Sequence, residues 1–558
     1  MDITYKKYDN QKLFKSLERE DLLNVSRIQN YIPLYKNFFK LNSNNYNNIN
    51  LNNEYYLTDI EKKETENKFL GKISSEKGNI REKEIFFKLS PLLNPIKYLT
   101  GIYDISNTNL LNLPNITDEE YCHNKINDPN NLAYVDSFFT YLTSKMLHTH
   151  SFIHGLDFYG SFLAIKHNYL IDVKDDIEYL VDSKFFHKNK GELFYLINEY
   201  QFDTIDGDTR NFRPPLVLNE TIINDLSICD ISTITEIDIF TQNKSETTEE
   251  PILYYEGIIN TKSKTESDKS MSCSSRSSNT DNESDEDAEE RESESDEGSY
   301  STASEDQVVI RIPEFPVQII SLERCDKTFD YLLMNEELGG KELGSAILQI
   351  LIMLITYQKA FGLTHNDLHT NNIMYINTEK QFLYYKYNNK YYKVPTFGRI
   401  FKIIDFGRAI YKYKGNMICS DSFHPKGDAA TQYNFEPYFD EKKPRLEPNF
   451  SFDLCRLGCS MFDFIVEDID KIKEITSPIE KIILDWCVDD KGRNILYKNN
   501  GEERYPDFKL YKMIARTVHN HEPSKVIEKE FFQIYTVSKK KINKSHKIFN
   551  IDEIPNYQ

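Results

Sequence analysis

The sequence predicts a two-lobed α+β protein interrupted by a long disordered acidic insertion. Three observations carry that expectation. Strand-like segments dominate the first half, helical patterns take over after residue 340, and one central stretch lacks the apolar side chains a core needs. At roughly 150 residues per folding unit, a chain of 558 residues makes two to four units. The divisions expected are an Asn-rich extension (1–60), a strand-rich lobe (61–335), the core of a helical lobe (336–480) and the rest of that lobe with a tail (481–558).

Taken in order, LNSNNYNNINLNNEYY reads as loop, because Asn side chains compete with regular backbone bonding. EIFFKLS, from Glu84 to Ser90, is a short apolar strand ended by Pro91. A helix starts after Asp128-Pro129-Asn130 and places Val135, Phe138, Phe139, Leu142 and Met146 on one face. GLDFYGSFLAIKH follows as a second strand. The stretch from Lys262 to Gln307 is rich in Ser, Glu and Asp. Between Asp281 and Asp306 it holds 13 acidic residues and one Arg, about −12 of the net −20, and it cannot offset the entropy of ordering. Beyond it, PVQIISLE (Pro316 to Glu323) is a buried strand, and Ser345 to Phe361 is an apolar helix ended by Gly362. LYYKYNNKYYKV is a hairpin turned by Asn388-Asn389, placed to extend the sheet of the next strand, RIFKIIDFG. SFDLCRLGCSMFDF completes the pattern as an amphipathic helix.

Composition excludes several classes. A net charge of −20 argues against a coat for nucleic acid or an anionic membrane. The longest apolar stretch, Ala346 to Ile355, is about half of the roughly 20 residues a bilayer span needs. MDITYKKYDNQKLF has no apolar core behind its charges, so no secretory signal is expected. The eight cysteines are scattered, apart from Cys455 and Cys459 at helical spacing, and suggest a reducing, intracellular setting.

The sharpest chemical signal is His365-Asn366-Asp367-Leu368-His369-Thr370-Asn371-Asn372. An Asp followed five residues later by an Asn, in a polar loop after a buried helix, suits phosphoryl transfer. Asp367 would accept a hydrogen bond from the incoming hydroxyl, and the Asn372 oxygen would ligate magnesium. A polar turn with an Asx cap is the plain reading of that segment alone. Ile404-Asp405-Phe406-Gly407, at the end of an apolar strand, adds a second carboxylate suited to a magnesium that bridges phosphates.

With these residues in view, the chain resembles the eukaryotic-type protein kinase superfamily. More narrowly, it is similar to the divergent serine/threonine kinases of large DNA viruses of the mimivirus and iridovirus type. THNDLHTNNIMY, YYKVPTFGRIFKIIDFGRAIY and CSDSFHPKGDAATQYN followed by RLEPNFSFDLCRLGC carry the resemblance, over roughly Pro316 to Phe464. It implies a protein-kinase-like fold, ATP and Mg2+ as cofactors, a Ser/Thr protein substrate, no nucleic acid, and a host-cytoplasm or virion location. It also makes Asp367 the catalytic Asp, Asn372 and Asp405 the metal ligands, His365 a brace and Asp453 the cap of the catalytic loop.

On the nucleotide side, Lys88 is the candidate for the phosphate-pairing lysine, against the alternative of an ordinary edge-strand Lys. Its acidic partner stays open among Asp136, Glu119 and Glu120. Backbone groups of Glu323 and Cys325 would meet the adenine edge. The chain departs from the family in having no GxGxxG, so the hairpin of Gly71 and Gly78 would cover the phosphates. It has His369 where a Lys is usual, and Leu446 to Pro448 where the family closes its activation segment. A small-molecule kinase of the aminoglycoside or choline type, and a pseudokinase scaffold, are the alternatives. The long segment Arg408 to Glu447, with Ser420, Ser422, Lys412, Lys414 and Lys426, favours peptide docking.

Overall fold

The computed structural model describes residues 1–197, 308–336 and 338–558, so the acidic insertion at 262–307 lies outside the described residues. The architecture is mixed α+β. A seven-stranded antiparallel sheet runs in the order Val25–Gln29, Phe158–Asp172, Val309–Glu323, Ile80–Pro91, Lys68–Ser75, Tyr55–Lys63, with Tyr195–Leu196 added beside Val309–Glu323. The expected strands are all present, and three are longer than their apolar cores suggested, Ile80–Pro91 at 12 residues among them. Phe158–Asp172 and Val309–Glu323 each run 15 residues, paired through most of their length.

The first 60 residues do not stand apart as an extension. They supply both edges of this sheet, and Leu13, Leu17, Leu22, Leu23, Ile32 and Leu34 are buried in the main core. Asn-rich composition concealed this, because the asparagines serve the turns between these elements. Asn47 Oδ1, for example, accepts the amides of Asn30 and Tyr31 at 2.7 and 3.2 Å.

The helix Leu132–His150 begins where Asn131 accepts the Ala133 amide, and its expected apolar face is buried. Phe139 on that face meets Tyr357, Phe361, Phe406 and Tyr411, all from beyond residue 340. The helix therefore joins sheet and helices in one core. The long helix Gly340–Phe361 ends where Gly362 adopts φ +62° and returns its amide to Gln358. It is long and apolar enough to cross a bilayer by length and composition, which the interrupted stretch Ala346–Ile355 did not suggest. Its residues from Leu343 to Gln358 are instead all buried among the protein's own side chains.

The aromatic hairpin, Phe382–Tyr387 with Lys390–Pro395, turns at Asn388 and Asn389 with φ of 49° and 60°. It does not extend the sheet of the following strand. It forms a four-stranded sheet with Thr536–Val537 and Ile548–Asn550, while Arg399–Ile403 pairs with Ile373–Asn377. Phe397 and Gly398, at φ 49° and 79°, redirect the chain between the two sheets. The helix Phe452–Ile465 lies close against Pro478–Trp486. A Cβ at Gly458 would come within 3.0 Å of Trp486 Cβ and 3.1 Å of Cys487 Sγ, so any larger residue would need these neighbours to shift by a few tenths of an ångström.

Candidate functional site

The loop after the Gly340–Phe361 helix is fixed from several sides. Asp453, fully buried at the start of its helix, accepts the amides of His365 and Asn366, both at 2.9 Å. These two amides turn away from regular structure, as Asn366 takes φ +67°, and the carboxylate satisfies them where water cannot reach. His365 bonds the Ile404 carbonyl through Nε2 at 2.9 Å and lies 5.3 Å from the Phe406 ring. Thr370 donates its amide to Ser460 and its hydroxyl to Asp330. Asn372 Nδ2 bonds the Asp367 carbonyl at 2.9 Å and the His369 ring at 3.1 Å, which directs its Oδ1 the other way.

Three acidic or basic groups distant in sequence meet beside this loop. Lys88 Nζ lies 2.8 Å from Asp136 Oδ2 and 3.0 Å from Asp405 Oδ1. Alternation along Ile80–Pro91 aims Lys88 away from its buried neighbours Phe87 and Leu89, toward the helix that carries Asp136. The open choice of partner is thereby resolved to Asp136. Glu119 instead pairs with Lys36 at the surface, 2.9 Å away. Asp136 also accepts the Phe406 amide at 2.8 Å, so one buried carboxylate holds both the lysine and the backbone beside Asp405. Burial raises the Asp136 carboxyl, whereas at Asp405 burial is outweighed by the Lys88 charge, which holds it below the ordinary range. Asp405 sits at φ +61°, a conformation that costs energy for a non-glycine residue and is kept here by the surrounding bonds.

Asp367 is set differently. Tyr511 donates its hydroxyl to Asp367 Oδ1 at 2.7 Å, and Arg408 and Arg456 approach the carboxylate at 4.0 and 3.9 Å. Burial would raise this carboxyl, but Arg408, His369, Arg456 and the Tyr511 hydroxyl bring it down to about 2. His369 is pushed down to about 4 by burial, so the loop carries a neutral imidazole at pH 7. Tyr511, Arg408 and Arg456 were not singled out in the sequence. Tyr511 lies on Lys509–Thr517, a helix whose pattern shows its buried face but not what that face meets.

The adenine-edge expectation is narrowed to groups other than the Glu323 amide, and the glycine expectation needs correction. The Glu323 amide is engaged by the Asp157 carbonyl at 2.9 Å, and its carboxylate by Lys402 and the Asp157 amide. One of the backbone groups assigned to the adenine edge is therefore committed to the fold. Cys325 is buried two residues on, where the chain passes toward the helices. The glycines also lie elsewhere than expected. Gly71 is in mid-strand, where a Cβ would meet Ile85 Cδ1 at 2.6 Å, and Gly78 turns the hairpin end remote from Lys88. The turn nearest the lysine is residues 64–67, closed by the Glu64 and Thr65 amides on the Lys68 carbonyl. With Lys68 opposite Phe86, this turn ends level with Lys88 and does not reach past it.

The segment after Asp405 is tied back to the sheet side. Lys97 pairs with Asp428 at 2.8 Å and Lys125 with Asp421, while Ser420 and Ser422 are buried. Lys414 pairs with Asp2 at 2.8 Å, and Lys412 is exposed. Among the described residues no cluster of three His, Cys, Asp or Glu side chains could hold a metal by itself. Asp405 and Asn372 offer one carboxylate and one amide oxygen. That set suits a magnesium completed by phosphate oxygens and water. Comparison with protein-family models and with curated proteins finds no match.

Proposed function

We propose that the protein is an ATP- and magnesium-dependent kinase that transfers the γ-phosphate to a Ser or Thr hydroxyl of a protein. In this reading the strand sheet and the helices are the two lobes of a protein-kinase-like fold. The observation that carries it is the meeting of Lys88, Asp136 and Asp405 beside the Asp367–Asn372 loop. Asp405 and Asn372 would hold the magnesium, whose chemistry is to bridge and neutralise phosphate oxygens. Asp136 keeps Lys88 charged and aimed for the phosphates. Asp367 accepts the hydroxyl hydrogen bond at a carboxylate oxygen. With so low a pKa it chiefly orients the nucleophile and takes little of the proton early. Asp453 keeps the loop in register. The segment 408–447, tied back by Asp421 and Asp428, would support an extended peptide.

A second reading, a nucleotide-binding scaffold without turnover, draws on the short turn at 64–67, which leaves bound phosphates without a glycine cover. Purified protein with γ-labelled ATP, a Ser/Thr peptide panel, a Tyr panel and an amino-alcohol and sugar panel separates the readings. Label on Ser or Thr, lost in Asp367→Asn, is expected. Label only on a small molecule overturns the protein substrate. Nucleotide binding without transfer leaves the scaffold.

A further inference from the structure

We infer that Tyr511 is a positioning residue: it holds one oxygen of Asp367 so that the other faces the acceptor hydroxyl. The inference rests on the kinase reading above. Tyr511 Oη donates to Asp367 Oδ1 at 2.7 Å and accepts from Arg456 Nε at 2.8 Å, so the hydroxyl's proton is directed at the carboxylate. The ring is buried, stacks on Phe508 at 5.2 Å, and lies beneath the guanidinium groups of Arg456 and Arg408 at 5.1 and 5.6 Å. Tyr511 therefore cannot swing away without breaking a packed cluster.

On the other side, Asn372 fixes the Asp367 backbone carbonyl. What remains free at Asp367 is rotation of its carboxylate, and the Tyr511 hydroxyl removes it. The two arginines contribute charge, which has little directional preference, whereas a hydrogen bond of 2.7 Å sets an orientation. His369 acts on Asp367 only electrostatically, and its Nε2 meets the Asn372 amide.

The test is a double-mutant cycle on turnover. Tyr511→Phe keeps the ring and its stack and removes only the hydroxyl. Loss of orientation is expected to lower kcat about 10-fold with nucleotide KM unchanged, and to cause no further loss in an Asp367→Asn background. Arg456→Lys, which keeps the charge but not the planar donor to Tyr511, should give a smaller loss that also vanishes in Asp367→Asn, and serves if Tyr511→Phe does not fold. Equal losses in both backgrounds would mean that Tyr511 is packing alone, and would overturn the inference. So would a rise in kcat, which would mark the hydroxyl as a block on the acceptor's place. Phosphate on Tyr511 after incubation with ATP would make it an acceptor, and overturns the inference too. A wild type that labels no substrate defeats the kinase reading and this inference with it, and that outcome is seen before any variant is made.

Discussion

Asp405 and Asp367 are both half-buried carboxylates of one candidate site, and different physics holds each. Asp405 faces a cation shared with a second carboxylate, and the three members of this cluster come from positions 88, 136 and 405. Asp367 is held by a neutral hydroxyl, with two guanidinium groups further off. Counted formally, Lys88, Asp136 and Asp405 sum to one negative charge, and Asp367, Arg408 and Arg456 to one positive charge. In the proposed reading the first cluster would gain a metal cation, and the second would tolerate an anionic acceptor or phosphate nearby. Neighbouring clusters thus carry opposite net charge, an arrangement the proposed phosphoryl transfer would use.

The largest effect should fall on the directional side. Asp367→Asn should cut turnover by on the order of 100-fold while nucleotide binding persists, measured by steady-state transfer and by nucleotide titration. Equal losses in both measurements would erase the distinction between the clusters. Next, Lys88→Met should reduce transfer by roughly 10-fold or more and weaken nucleotide binding with the fold intact, because the apolar stem stays and the charge goes. Asp136→Asn keeps the volume and leaves Lys88 its bond to Asp405. Nucleotide KM should rise about 3-fold with little change in kcat, in line with a modest charge-assisted bond.

Two smaller tests sharpen the contrast. Lowering the pH from 8 to 5 should leave the Asp367-dependent step unchanged, since this carboxyl titrates near 2. Its folded pKa is depressed, so the stability it contributes is present above the ordinary carboxylate value and lost only as pH falls through about 2. Glu119→Gln, at the exposed pair with Lys36, should leave both activity and melting temperature within error.

The candidate site was unevenly legible in the sequence. Asp367 and Asn372 lie in one loop and Asp405 follows the fourth strand after it, each in a recognisable local motif, so the sequence could nominate them. Asp136 could only be left among three acids, because its choice depends on which helix face meets the sheet. Tyr511 left no local sign at all, since its partner lies 144 residues away and any buried aromatic would give the same pattern. The strands Glu84–Ser90 and Pro316–Glu323 were readable from apolar runs. The edge strands of the first 60 residues were not, because edge strands are polar on one side and here stand among asparagines. The aromatic hairpin was recognisable from its turn, but its sheet partners come from the C-terminal tail, which no local pattern specifies.

The contact between Gly458 and Trp486 has a practical optical consequence. Trp486 is the chain's single tryptophan, and it is fully enclosed. Its Cβ stands against the helix whose first turn bears Asp453, with Cys487 as its chain neighbour. Emission from this one fluorophore should therefore be blue-shifted in the native protein and move to longer wavelength when that helix detaches. Emission excited at the red edge, where the 37 tyrosines absorb little, would then report whether the support beneath the loop is intact.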